Sequence, residues 1–329
     1  MKYSNRILII AEVGINHNGS ILKAKKMIDI AKESGADYVK FQIFKPHNLA
    51  IEKAKLANYQ KKNSKVSSQV ELLHKYKLNF SDFRYLYKYA KTKKIKFLAT
   101  AFEEESLKFL NTLKVDFIKV SSGEINNLPF LKLIKKTKKK VLLSTGASTT
   151  KDVANALSTL NKKDVTLLHC NSAYPSPIND LNLNSIKFLK NKFKCPVGYS
   201  DHSSSIYTPL VAIGNGAKVI EKHFTLDKEL KGPDHKSSLS PKELKQMIKL
   251  IRVFEKSVGK YQKTISKSEA QNLLFIRKSI VARKKIIKGE KFSKKNLTCK
   301  RPGNGISPMF WEKLIGKKSK KNYKINEQI

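Results

Sequence analysis

Two histidines, His202 in GYSDHS (198–203) and His223 in EKHFT (221–225), each fall where a short apolar segment runs out into a loop. Imidazoles that leave parallel strands at one end of a barrel can share a divalent ion such as Mn²⁺, Co²⁺ or Zn²⁺, so the pair points to metal-assisted catalysis. Each histidine alone is better explained as a hydrogen-bonded strand-end residue; the two together, flanked by acid and hydroxyl groups, shift the balance toward a shared ion. Lys40 and Lys119, with Ser122, Ser144 and Ser200, offer the charges and hydroxyl donors that surround a phosphate or a carboxylate. SSGE (121–124) and STG (144–146) are glycine-containing turns whose N–H groups can approach an oxyanion. Glu12 and Glu124 bring acidic groups to two sides of this basic pocket, to orient a sugar or move protons, or simply to pair with Lys40 or Lys119. Asp234, in GPDHK (232–236), can hydrogen-bond a polyol, although Gly-Pro-Asp is also turn chemistry. NHNG (16–19) reads first as a turn, which leaves His17 structural; His169 is open between rim and core. Arg301 sits at the tip of the rigid turn RPGNG (301–305), an unusual place for a merely solvated charge.

These groups need a scaffold that delivers strand ends to one rim. Short apolar, β-branched segments recur at ILIIAE (7–12), YVKFQ (38–42), KFLAT (96–100), FIKV (117–120), VLLST (141–145), TLLHC (166–170), PVGYS (196–200) and KVIEKHF (218–224). Between them lie amphipathic runs such as Lys23–Ser34 and Glu104–Leu113, where apolar residues return every three or four positions. This alternation predicts an α/β fold, a (β/α)8 TIM barrel rather than an open sheet. Glu12, Lys40, Gln42, Thr100, Lys119, Ser122, Ser144, Ser172, Ser200, His202 and His223 then fall at or just beyond C-terminal strand ends, where barrel enzymes build their sites. The stretch 45–78 is long for a βα connection and reads as a lid or as surface decoration. The barrel is assigned residues 1–260, ending after the helical run Pro241–Val258. A polar, lysine-rich linker follows at 261–277, and residues 278–329 form a small module of short strands and turns.

Composition narrows the partners. The chain has 329 residues, with 67 Lys+Arg against 26 Asp+Glu and a formal charge of +41, which would suit an acidic polymer, a membrane surface or an anionic substrate. The lysines are spread through nearly every helical run, and clusters such as Lys136–Lys140 and Lys317–Lys321 lack the interleaved aromatics of a base-stacking platform. Solvated lysine faces and an anionic small substrate fit better than nucleic acid or membrane. Cys170, Cys195 and Cys299 are too few and scattered for a disulfide framework, which suits a reducing, cytoplasmic setting. The apolar run Ile7–Ala11 is interrupted by Glu12, well short of a secretion signal or a membrane span.

IAEVGINHNGS (10–20), VKFQ (39–42), IKVSSGE (118–124), LLSTGA (142–147), LHCNSAYP (168–175), GYSDHS, EKHFTLD (221–227), GPDHK and KRPGNGIS (300–307), in this order, resemble the sialic acid synthase family over almost the whole chain. The resemblance implies condensation of phosphoenolpyruvate with an N-acylated mannosamine-type sugar, giving a nine-carbon 2-keto sugar acid and phosphate. It implies a divalent metal, usually Mn²⁺ with Mg²⁺ or Co²⁺ as substitutes, held by His202 and His223. Phosphoenolpyruvate would be gripped by Lys40, Thr100, Lys119, Ser122, Ser144, Ser172 and Ser200, and the sugar met by Glu12, Gln42, Tyr174 and Asp234. Glu12 and Glu124 would join the histidines in catalysis. The C-terminal module would resemble type III antifreeze proteins and cap the partner's barrel in a domain-swapped homodimer, with Arg301 reaching the sugar's acyl group.

Ala101, where the family usually has proline, and Ser121, where glycine or proline is frequent, depart from its pattern without removing a side-chain ligand. The GPDHK loop and the RPGNGISPM ending favour the N-acetylneuraminate branch, using N-acetylmannosamine, or the legionaminate branch, using 2,4-diacetamido-2,4,6-trideoxymannose, over pseudaminate. Two readings from other classes stand beside these: a different phosphoenolpyruvate-condensing barrel aldolase making a sugar acid phosphate, and an inactive basic nucleic-acid binder.

Overall fold

The computed structural model describes residues 6–57, 60–61, 66–259 and 262–329. The boundary drawn at 260/261 falls outside the described residues, as do positions 58–59 and 62–65 of the insert. The chain separates into two compact units, 1–259 and 260–329.

In the first unit, eight strands close into a parallel barrel in sequence order: β1 Leu8–Gly14, β2 Tyr38–Ile43, β3 Lys96–Ala101, β4 Phe117–Val120, β5 Lys140–Ser144, β6 Val165–Cys170, β7 Val197–Asp201 and β8 Val219–His223. Each strand lies within two residues of its expected span, because a parallel strand buried on both faces reads as a nearly continuous apolar run. Side chains alternate in and out along each strand. The outward set, including Ile9, Val39, Phe41, Ile118, Leu143, Leu167 and Ile220, packs with the surrounding helices into the main core. The inward set starts with an apolar layer of Ile10, Tyr38, Leu98, Phe117, Leu142, Leu168 and Val219. On β7 this layer needs Gly198, since a Cβ there would lie 2.7 Å from both the Leu168 and Val219 side chains. The barrel is therefore plugged below, and only its C-terminal mouth is open to chemistry.

The helices start where the sequence supplies caps. Ser20 caps Ile21–Glu33, and reciprocal capping boxes open Thr150–Thr159 (Thr149 with Asp152) and Pro241–Ser257 (Ser240 with Glu243). The insert after β2 folds as short helices, Pro46–Leu49 and Gln69–Tyr76, over a small apolar cluster of Ile15, Phe44, Leu56, Leu72 and Tyr76. His47 and His74 join these helices through a 2.9 Å contact between their Nε2 atoms.

The second unit has its own core of Ile280, Ala282, Ile286, Phe292, Leu297 and Tyr323 around an antiparallel pair, β9 Ser279–Ala282 and β10 Leu297–Lys300. The stretch expected as linker carries two short helices, Lys267–Ala270 and Leu273–Ile276. The carbonyl of Leu274 accepts the N–H of Gly303, so this segment is tied to the turn that bears Arg301.

Candidate active site

Above the apolar plug the inward positions turn polar. The next residue of the same parity on each strand is Glu12, Lys40, Thr100, Lys119, Ser144, Cys170, Ser200 and Glu221, and all of them line one cavity of about 370 Å³. The following step adds Gln42, Phe102, Ser121, Ser172, His202 and His223, and loops contribute Ser122, Glu124, Tyr174 and Asp234. Every barrel residue assigned a site role in the sequence thus lines this cavity; His17, read as structural, and His169, left open, do not. Arg301 belongs to the second unit and is exposed.

The mouth is a dense charge network. Lys40 Nζ lies 2.9 Å from Glu12 Oε2 and 2.9 Å from Thr100 Oγ1, and 3.6 Å from Glu221 Oε2. Lys119 Nζ lies 3.5 Å from Glu221 Oε1, which also accepts the Ser200 hydroxyl at 2.9 Å. Burial works against every charge here, and the neighbours decide which survive. Glu221 is held well below the usual carboxylate range because Lys119 and Lys40 outweigh its desolvation. Glu12 moves the other way: burial outweighs Lys40, and the Glu221 charge adds to the effect, so Glu12 is the carboxyl that keeps its proton longest. Burial and Lys40 leave Lys119 a weaker base than usual despite Glu221, whereas Glu12 and Glu221 hold Lys40 above the ordinary value against desolvation.

Several polar atoms in this mouth are buried without a hydrogen-bond partner: Glu12 Oε1, Glu221 Oε2, Ser144 Oγ and His223 Nδ1. Such groups are costly unless a ligand engages them. At Gly146 the backbone runs so close to the Ser122, Cys170 and Ser172 side chains that a Cβ would sit 2.3 Å from Ser172 Oγ. The Gly146 N–H donates to Ser122 Oγ at 3.0 Å. Backbone and hydroxyls are packed here as for an oxyanion.

The two rim imidazoles have ring centroids 5.5 Å apart, and the Tyr174 ring lies tilted with its centroid 4.2 Å from that of His202. His202 Nδ1 donates to the Asn171 carbonyl at 2.6 Å, which leaves Nε2 as the acceptor facing the cavity. Burial lowers the His202 pKa to about 4 and pushes His223 well below its ordinary value, with His202 adding to that shift. Both are neutral near pH 7, the form that ligates metal. Among the described residues no three His, Cys, Asp or Glu side chains converge into a closed cage. The donor set therefore fits an open site, two imidazoles with the remaining positions left to substrate and water.

Glu124 does not pair with Lys119; its Oε2 accepts Asn127 Nδ2 at 2.6 Å on the cavity wall. Burial raises the Asp234 pKa to about 6. His17 is core-facing, with Nδ1 accepting the Gly19 N–H, and His169 contacts the Leu181 carbonyl, so neither enters the cavity. The insert supplies an apolar flank, Phe44, Leu49, Leu72 and Leu73, which joins Ile15 and Phe102 on the cavity wall. Two elements escaped the sequence reading. Glu221 lies within a quoted motif, and its period-two relation to His223 was the available signal. The apolar flank comes from the insert's tertiary packing and carries no motif.

A closed parallel barrel whose mouth holds two lysines, hydroxyl donors, a proton-holding carboxyl and two neutral imidazoles defines an enzyme built for an anionic substrate. The chain belongs to the NeuB family: the family's model matches residues 27–263, and the SAF domain model matches residues 277–329. It is a phosphoenolpyruvate-dependent C–C bond-forming transferase of the sialic acid synthase type. It is 49% identical to the N,N'-diacetyllegionaminic acid synthase of Campylobacter jejuni, over 98% of this chain and 99% of that one. It is 38% identical to the N-acetylneuraminate-9-phosphate synthase of Homo sapiens, over 94% and 88%. Among solved structures it resembles an N-acetylneuraminic acid synthetase from Leptospira borgpetersenii in complex with citrate, at 33% identity and TM-score 0.73, over 83% and 92%. No helix among the described residues is long and apolar enough to cross a membrane.

Proposed function

We propose that the protein condenses phosphoenolpyruvate with 2,4-diacetamido-2,4,6-trideoxymannose, releasing phosphate and a legionaminate-type nine-carbon 2-keto acid. The observation that carries the sugar assignment is the apolar flank, Phe44, Leu49, Leu72, Leu73 and Phe102, facing a mouth whose only described cations are Lys40 and Lys119. A C6 methyl and two acetamido methyls suit such a wall, whereas a sugar phosphate would need a second cationic clamp. The 49% identity to a legionaminic acid synthase supports the same reading. N-acetylmannosamine is the second reading, favoured by the likeness to the Leptospira synthetase.

In this account Lys40, Thr100, Lys119, Ser122, Ser144, Ser172 and Ser200 hold the phosphate and carboxylate of phosphoenolpyruvate. Gln42, Tyr174 and Asp234 bind the sugar. His202 and His223 would hold a divalent ion, Mn²⁺ first and Mg²⁺ or Co²⁺ as alternatives, which would supply Lewis acidity to the sugar's carbonyl. C3 of phosphoenolpyruvate attacks the aldehyde carbon, and Glu12 gives its retained proton to the oxygen that becomes a hydroxyl. The pair of electrons leaving the enol double bond creates an oxocarbenium at C2. Water adds there with Glu124 taking its proton, and the tetrahedral species expels phosphate by C–O cleavage. Lys40 and Lys119 stabilise the charge that develops on the departing phosphate. The second unit would cap the partner's barrel in a cytoplasmic homodimer, with Arg301 at the acyl group.

The test offers phosphoenolpyruvate and Mn²⁺ with each sugar separately, and follows phosphate release and product mass. The diacetamido-trideoxy sugar should show the higher kcat/KM. Preference for N-acetylmannosamine moves the protein to the neuraminate branch, and turnover of the 6-phosphate alone would overturn the argument from the wall.

A further inference from the structure

On the outer faces of β7 and β8, directly behind the two rim histidines, Asp201 and Lys222 are fully buried and 2.8 Å apart. They are register partners, so the pair sits one residue below both His202 and His223. The Asp201 carboxylate takes four donors: Lys222 Nζ and Thr208 Oγ1 on one oxygen, Tyr199 OH and the Ser203 N–H on the other. Lys222 Nζ in turn donates to the Ser203 carbonyl. His202 is thus the middle residue of a turn whose flanks are both tied down, residue 203 through its N–H by Asp201 and through its carbonyl by Lys222.

A fully buried ion pair is a poor source of net stability, because desolvating both charges offsets most of their attraction. What this pair specifies is geometry. We infer that Asp201 and Lys222 are positioning residues: they clamp the β7–β8 rim and the backbone on either side of His202, and so hold its imidazole against that of His223. The inference rests on the reading of those imidazoles as a metal pair, and it adds the residues that set their spacing. Groups behind metal ligands commonly change metal affinity by 10- to 100-fold when replaced.

The test uses the full chain, freed of metal, as wild type, as the charge-free double variant Asp201→Asn/Lys222→Met, and as Thr208→Val, which removes one donor to Asp201. Mn²⁺ is titrated in with free ion read by electron paramagnetic resonance, and amide hydrogen exchange is measured peptide by peptide without metal. The double variant should bind Mn²⁺ about tenfold or more weakly, and Thr208→Val by a smaller factor. Exchange should quicken in peptides covering 202–205 while the rest of the barrel keeps its protection. Unchanged Mn²⁺ affinity, or exchange that rises uniformly, would overturn the clamp. If the wild type takes up no Mn²⁺, the metal reading fails, and local against uniform exchange still decides the clamp.

Discussion

Two buried lysine-carboxylate clusters lie on opposite faces of the same barrel wall, and they are built to different ends. Behind β7 and β8 every oxygen of Asp201 is taken and Lys222 is enclosed. Inside the mouth, Lys40 and Lys119 share Glu221 at 3.5 to 3.6 Å, and carboxylate, hydroxyl and imidazole atoms remain unpartnered. A satisfied network fixes structure, whereas an unsatisfied one stores electrostatic cost that a ligand relieves. Substitutions should therefore separate stability from activity according to the face they touch.

The largest effect is expected behind the wall. Lys222→Met alone leaves Asp201 charged and buried without its main partner, and should lower unfolding free energy by about 3–5 kcal/mol in urea titrations. Next comes the mouth, where Lys119→Met should lower stability less than Lys222→Met, since its pairing with Glu221 is longer, at 3.5 Å, and Lys40 still faces that carboxylate, yet lower kcat/KM by about 10²–10³-fold. Equal losses of stability in the two variants would erase the contrast. Glu124→Gln should cut kcat by about 10²-fold with phosphoenolpyruvate binding retained, read by calorimetry; unchanged turnover would remove Glu124 from the mechanism.

The smallest effect is a pH dependence at Asp234. Its folded pKa, about 6, lies above the ordinary aspartate value of 3.8, so the folded state holds the proton more tightly. Its contribution is fully present below pH 3.8 and is lost as pH rises to about 6. Asp234→Asn should then be more stable than wild type by up to about 3 kcal/mol at pH 8 and nearly equal to it near pH 3.5, in paired urea titrations. A constant difference at both pH values would place the carboxyl in a less buried setting.

Sequence and structure agree most closely where periodicity carries the signal. The eight strands were legible because continuous Val, Ile, Leu and Phe runs bounded by polar loops have few other fates in a repeating β/α chain. The rim residues followed from where those runs stop. Glu221 carries no motif of its own within EKHF; only its period-two relation to His223 puts it on the same face of the strand. Asp201 and Lys222 take the opposite parity, and a buried ion pair on an outer face has no local signature. The insert's leucines were legible as apolar and not as cavity wall, since which side of a short helix meets the barrel is decided by tertiary packing.

If the mouth's charges stabilise phosphate as it leaves carbon, the bond between C2 and the bridging oxygen is the one that breaks. Phosphoenolpyruvate carrying ¹⁸O in the bridging position between C2 and phosphorus tests it most directly, with the released phosphate analysed by mass spectrometry. C–O cleavage predicts that the label departs with phosphate in stoichiometric yield; label retained in the sugar acid would mean P–O cleavage and contradict the account.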